Sequence, residues 1–271
     1  MKKQHRFLCV LLGIVFVAIS GCSIDSPDPT TTDPEPTSPT LAPELIEYLQ
    51  ISDPLAEDLR DGIQTIEKTS EKETSTVQVM QTLGNTRELY VLYTVTVPEE
   101  TLSAAADQSA LFSVTLSGTT GSVIPLPTEG HYLSYFEGPA QGWDGEELLF
   151  TLKSDLFQDT HELSWTSTVQ GEILDGSVTT EAGETVGTVS LSPYSLRFSM
   201  NGSEETDTIA FLDTIALVDQ DGNAIPLKGG RGVSSGAEPA GQTFSGSIDF
   251  QQVLDLSTVT AIQIDGHTVT I

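Results

Sequence analysis

The chain has 271 residues, with 39 acidic side chains against 11 basic ones and a formal net charge of −28 at pH 7. A field of that sign repels nucleic acid and anionic lipid, which excludes nucleic acid as a partner class. Both cysteines, Cys9 and Cys22, lie near the N-terminus, so no thiol remains downstream for a disulfide, a thiolate metal site or a cysteine nucleophile.

Lys2, Lys3 and Arg6 precede an apolar run over residues 7–19, and small residues lead from it to Cys22. A positive start, a short apolar stretch and a small-residue exit are the three parts of a secretory signal. The run is shorter than the roughly 20 apolar residues that a membrane-spanning helix needs. Ile19-Ser20-Gly21-Cys22 resembles the bacterial lipobox. The resemblance implies a signal peptide over 1–21 and a covalent diacylglycerol on Cys22, which becomes the new N-terminus. Two acyl chains of the palmitate class give a stable anchor where one holds only reversibly. The implied location is the outer face of the cytoplasmic membrane.

Residues 22–43 then read as the lipidated cysteine and a stalk. "SIDSPDPTTTDPEPTSPTLAP" (23–43) is mostly Pro, Thr, Ser, Asp and Glu, a composition that buries no core and predicts an extended, disordered spacer. Its reach in polyproline II is about 65 Å. Over 44–61 the spacing of Leu45, Ile46 and Leu49, and of Leu55 and Leu59, predicts one or two short helices packed on the first sheet, with Ser52 as an N-cap ahead of Pro54.

From Gly62 the signals are strands. "ELYVLYTVTV" (88–97) places Leu89, Val91, Tyr93 and Val95 on one face and Tyr90 and Leu92 on the other. Further strands are predicted at 111–118, 147–157, 161–169, 185–200, 208–218 and 259–271. Asp175-Gly176, Asn201-Gly202, Asp221-Gly222 and Asp265-Gly266 predict hairpin turns, because these pairs tolerate positive φ. Short strands without a βαβ rhythm predict an all-β chain of two tandem antiparallel β-sandwich domains, over 62–175 and 176–271, with the seam near 170–184.

Three stretches carry a resemblance: "TVSLSPYSLRFSMNG" (188–202), "IALVDQDGNAIPL" (215–227) and "DFQQVLDLSTVTAIQIDGHTVTI" (249–271). They hold a strand ending in Ser-Pro, a D-x-D-G-x-x-I-P-L hairpin and a closing I-x-I-D-G hairpin. "RELYVLYTV" (87–95) and "ELLFTL" (147–152) look like the upstream partner. Together they resemble Gram-positive extracytoplasmic domains of unknown function found on anti-sigma-factor-like membrane proteins and related lipoproteins. The resemblance implies a two-part immunoglobulin-like architecture over 62–271 and transfers no catalytic residue. Without a spanning helix or a sigma-binding segment in the reading, it does not imply direct sigma-factor control.

Chemical motifs are few. His131, His161 and His267 form no HxH or HExxH pair, and no G-x-S-x-G elbow is present. "DQDGN" (219–223) echoes a calcium loop through Asp219, Asp221 and Asn223, yet position twelve is Gly230 where an EF-hand needs Glu. The glycine-rich stretch 226–246 reads as a long loop that could hold an anion or a partner through Lys228 and Arg231. Tyr132, Tyr135, Phe136 and Trp143 cluster in a loop-like setting and form a candidate ligand or partner patch. The expectation is a membrane-anchored, non-catalytic binding or sensing module of the cell envelope, with no cofactor beyond its lipid, whose partner is an envelope protein or wall glycan. A glycan-binding surface protein and an envelope hydrolase are the alternatives.

Overall fold

The computed structural model describes residues 39–98, 112–139, 142–154, 158–202, 208–227, 229–238, 241–250 and 252–271. Cys22, the signal and the stalk up to residue 38 lie outside the described residues.

Two short helices open the described chain, α1 (Pro43–Leu49) and α2 (Asp53–Asp58), each with proline in its first turn. Proline suits that position because the first-turn N–H has no helical acceptor to lose. Ser52 is the N-cap residue of α2, but its side chain makes no cap bond. The last residues of the stalk stretch are docked against the sheet. Leu41 is buried, and the Gln81 amide donates to the Thr40 carbonyl while accepting from Ala42 N. One apolar side chain and one amide override the surrounding Pro/Thr composition there.

The fold is all-β, of the sandwich type, built from antiparallel sheets. The first sheet has the order β1-β2-β3-β7-β6, from β1 (Ile63–Glu71), β2 (Thr76–Gly84), β3 (Glu88–Thr96), β6 (Ile124–Pro125) and β7 (His131–Glu137). It faces β5-β4-β8-β9, from β4 (Ser113–Leu116), β5 (Thr119–Thr120), β8 (Glu147–Lys153) and β9 (Thr160–Thr166). The period-2 alternation of β3 explains the layering. Leu89, Val91, Tyr93 and Val95 enter the core between these sheets, with Phe136, Phe150 and Trp165. Tyr90 and Leu92 point the other way and are covered by Leu45, Leu49 and Leu55 of the helices.

A second pair of sheets follows. One has the order β10-β11-β12-β16-β15, from β10 (Leu174–Thr179), β11 (Thr185–Leu191), β12 (Ser195–Gly202), β15 (Gly229–Glu238) and β16 (Gly241–Phe250). Its partner is β14-β13-β17-β18, from β13 (Ala216–Asp219), β14 (Ala224–Ile225), β17 (Val259–Ile264) and β18 (His267–Thr270). Val189, Leu196, Phe198, Ile248, Ile262 and Ile264 fill this core. Tyr194 and Val253 of the second pair join the helix-covered cluster, so the helices seal part of the junction.

Several sequence expectations need correction. Asp175-Gly176 and Asn201-Gly202 are not turns; both lie within paired strands. Gly176 is required there by close packing, since a Cβ would stand 2.6 Å from Val269 Cγ1. Asp221-Gly222 and Asp265-Gly266 do turn the chain, with positive φ at Gly222, Asp265 and Gly266. The stretch 208–218 is not one strand: Thr208–Leu212 forms a helical turn, α3, before β13. The glycine-rich stretch 226–246 is no loop. It forms the β15–β16 hairpin, paired from Gly229↔Phe250 to Glu238↔Gly241.

Candidate binding cleft between the two sheet pairs

The β2–β3 turn carries Asn85, Arg87 and Glu88 onto the end of the second sheet pair. Asn85 shapes it, its Oδ1 accepting from the backbone N–H of Arg87 and Glu88 at 2.8 and 2.9 Å. Glu88 opens β3 and is only 1% exposed. Five donors converge on its carboxylate. Tyr135 Oη at 2.9 Å, Arg197 Nη2 at 3.3 Å and, closer still, Ser195 Oγ meet Oε1; Ser192 Oγ at 2.5 Å and Asn85 Nδ2 at 3.2 Å meet Oε2. Burial pushes the Glu88 carboxyl up, but the Ser192 and Ser195 hydroxyls, the Arg197 guanidinium and the Asn85 amide outweigh it and hold it below its ordinary value.

The Ser-Pro element explains how the second sheet pair meets this acid. Ser192 Oγ accepts from the backbone N–H of Tyr194 and Ser195, while Ser192 N donates to the Ser195 carbonyl. With Pro193 inside it, this tight turn presents both serine hydroxyls to Glu88. Tyr194 packs edge-on against Tyr90 with ring centroids 5.6 Å apart. On β16, burial and the charges of Glu137 and Glu88 push the Asp249 carboxyl up.

Beside this network is a cavity of about 570 Å³. Arg87 overhangs it from the first sheet pair. Its floor is the outer face of β10, β11 and β12, with Asp175, Ser177, Thr188, Ser190, Arg197 and Ser199. Arg87 holds Asp175 through Nη1 and Nη2, at 2.9 and 3.1 Å, and donates from Nη1 to Ser190 Oγ at 2.8 Å. Those bonds hold the Asp175 carboxyl below its usual value. Arg197 spends Nη2 on Glu88, and its Nε is buried without a hydrogen-bond partner. Two of the chain's five arginines therefore meet at one cavity in a strongly acidic protein.

The sequence marks none of Arg87, Glu88, Asp175 and Arg197 as a site residue, and Asp175 reads there only as part of a turn. The bonds that join the two sheet pairs span 88 to 109 residues, so no local motif connects these side chains. The available signal was the charged pair Arg87-Glu88 at the mouth of the otherwise apolar β3.

The residues that sequence reasoning did single out are placed elsewhere. Tyr132, Phe136 and Trp143 are buried in the first core, and Tyr135 is half-buried with its hydroxyl on Glu88. Tyr132, Tyr135 and Phe136 are on strand β7 while Trp143 sits in the β7–β8 connection, and their burial makes these aromatics packing groups and not an exposed stacking surface. A smaller recess of about 300 Å³ reaches Trp143 beside Glu146 and Glu147. Asp219, Asp221 and Asn223 shape the β13–β14 turn. Asp219 Oδ1 accepts from Asp221 N and Asn223 N, and Oδ2 from Asn223 Nδ2 at 3.3 Å, so the turn itself occupies the carboxylate. Lys228 and the side chain of Arg231 lie outside the described residues.

A second polar cluster sits at the β1–β2 hairpin. Ser75 Oγ donates to Asp159 Oδ2 at 2.5 Å and lies 2.8 Å from His161 Nε2, while His161 Nδ1 lies 3.1 Å from Ser70 Oγ. Ser75 spends its proton on Asp159, so its oxygen faces His161 Nε2 as an acceptor. In an acyl-transfer triad the acid orients the far imidazole nitrogen. Here the acid is on the serine, and both Ser75 and His161 are buried. The cluster fastens the hairpin to β9. Burial, with a smaller contribution from Lys72, lowers the His161 pKa against the opposing pull of Asp159 and Ser70. The unfolded chain therefore takes up the proton first as pH falls below about 6.5. Thermal melts at pH 7.5 and 5 are expected to show a stability loss that His161→Asn reduces; an equal loss in both proteins refutes the assignment.

No family model and no curated protein matches the chain. Among solved structures, the crystal structure of the conserved domain protein from Bacillus anthracis is similar over 76% of this chain and 77% of that chain, at 14% sequence identity and a TM-score of 0.45.

Proposed function

We propose that the chain is a lipid-anchored, non-catalytic binding or sensing module of the cell envelope. In this reading Cys22 carries the lipid and the Pro/Thr/Asp-rich stretch sets the module off the membrane. Two tandem immunoglobulin-like domains then form the binding head, and its ligand enters the cleft between the two sheet pairs. The observation that carries the reading is the cavity of about 570 Å³ at the junction, walled by Arg87 from one side and by Asp175, Ser190 and Arg197 from the other. A site whose walls come from two sheet pairs can couple occupancy to their relative hold, which suits a sensor. Clefts between packed units with a few convergent polar groups are the usual place for a ligand.

The test uses intact native cells. A photo-cross-linking residue at Ser199, on the cavity floor, is expected to capture an envelope component. The same residue at Glu162, exposed on β9, is expected to capture none. Equal capture at both positions, or none at Ser199, removes the reading.

A further inference from the structure

We propose that the junction cleft takes an acidic sugar or polyol, with its hydroxyls along the serine and threonine side chains of the sheet and its carboxylate or phosphate at Arg87 and Arg197. The proposal rests on the binding-module reading above and adds the chemistry of the ligand.

The strand registers place the hydroxyls in line. Ser177 on β10 faces Thr188 on β11, Thr188 faces Ser199 on β12, and Ser199 faces Ser245 on β16. All four are exposed. Adjacent strands stand about 4.8 Å apart, so the row offers donors and acceptors at intervals close to the spacing of alternate hydroxyls on a sugar ring. The neighbouring row runs Asp175, Ser190, Arg197 and Ser247 in the same way. Here the hydroxyl row meets charge, and here Arg87 overhangs.

A solvated sheet face is polar in any protein, so the hydroxyls alone do not define a site. Three further observations do. The face is flanked by a side chain from the other sheet pair, and the open groove between them has a volume of about 570 Å³, enough for one or two sugar units. Arg197 lines the groove and its Nε–H has no partner in the fold, so its guanidinium holds an unspent donor that a shift of the side chain would turn to a ligand acceptor. And the charges are exchangeable. The Arg87–Asp175 pair is exposed, with side chains 35% and 58% accessible, and an exposed pair is worth little. A ligand anion can therefore share Arg87 with Asp175 at small cost. The carboxylate of Glu88 is held by its own five donors and does not line the cavity.

The test is calorimetric titration of the purified full-length chain, in detergent, with glucuronic acid and glycerol 3-phosphate. Glucose and glycerol serve as the uncharged counterparts. At least one acid is expected to bind ten-fold or more tightly than its uncharged counterpart, and the tighter of the two identifies the source as carboxylate or phosphate. Arg87→Gln is expected to lower that affinity at least ten-fold. Thr188→Val, an exposed change of equal size, is expected to lower it about three-fold with an unchanged melting temperature. Equal binding of acidic and uncharged probes, or affinities unmoved in both variants, overturns the proposal. Cellular cross-linking from Ser199 without binding of either acid overturns the ligand class alone; absence of both overturns the ligand class and the binding-module reading together.

Discussion

Replacing Glu88 by alanine is expected to lower the melting temperature of the chain by roughly 10 °C. Glu88 is the most heavily bonded buried charge at the junction, with donors from β7, from the β2–β3 turn and from the Ser-Pro turn and β12 of the second sheet pair. Removing one partner of a buried charge network costs about 3–5 kcal/mol, because the remaining partner loses its compensation. For a chain of this size each kcal/mol corresponds to roughly 2–4 °C. Arg197 would lose its buried counter-charge and keep the half-exposed Glu137, 3.7 Å away, and the Tyr135 hydroxyl, and the Ser192 and Ser195 hydroxyls would lose their common acceptor. Glu88→Gln keeps the volume and part of the bonding, and is expected to fall between alanine and the parent. The pH dependence has a definite sign. The folded pKa of Glu88 is depressed, so its contribution is full above the unfolded value of 4.5 and is lost as pH falls through the lower folded value. Acid melts of the parent are expected to lose this contribution, while Glu88→Ala has none to lose. A melting temperature within 2 °C of the parent at pH 7 would show that the junction is held by its apolar contacts alone.

Such a junction could not be read from the sequence, and the reason is physical. The alternation within β3 is a local property, imposed by two buried faces, and so it was legible. So were the Asp265-Gly266 hairpin and the two helices, because each depends on neighbours within a few residues. The same Asp-Gly and Asn-Gly pairs misled at Asp175 and Asn201, where both pairs are held in strand ladders and, at Gly176, close packing and not turn geometry selects glycine. Thr208–Leu212 misled because five residues with apolar Ile209, Phe211 and Leu212 fit a short strand as well as a helical turn. The β15–β16 hairpin was hidden by its glycines and serines, which form a backbone ladder without the β-branched side chains that mark a strand. At the site, Arg87 and Arg197 looked like isolated charges. Only the topology, which sets the β2–β3 turn against β10–β12, makes them neighbours.

Trp143→Ala separates the two places where a ligand could be sought. Trp143 is 3% exposed and packs in the first core with Leu148, Phe150 and Trp165. Truncating a buried tryptophan removes its transfer energy and leaves a cavity, at a cost of about 3–5 kcal/mol, which again is roughly 10 °C in melting temperature. If the aromatics of 132–143 were the ligand surface, binding would fall with them. If the cleft is the site, affinity measured well below the melting temperature is expected to fall far less than in Arg87→Gln. Some loss is expected, because the Trp143 backbone N–H donates to the Thr86 carbonyl at 2.7 Å and so supports the turn that carries Arg87. That bond belongs to the backbone, and the alanine variant keeps its donor. The pair of variants thus gives opposite profiles: Trp143→Ala loses stability and largely keeps binding, whereas Arg87→Gln loses binding and largely keeps stability, since its ion pair with Asp175 is exposed. The reverse pattern would move the ligand out of the cleft and into the recess beside Trp143, Glu146 and Glu147.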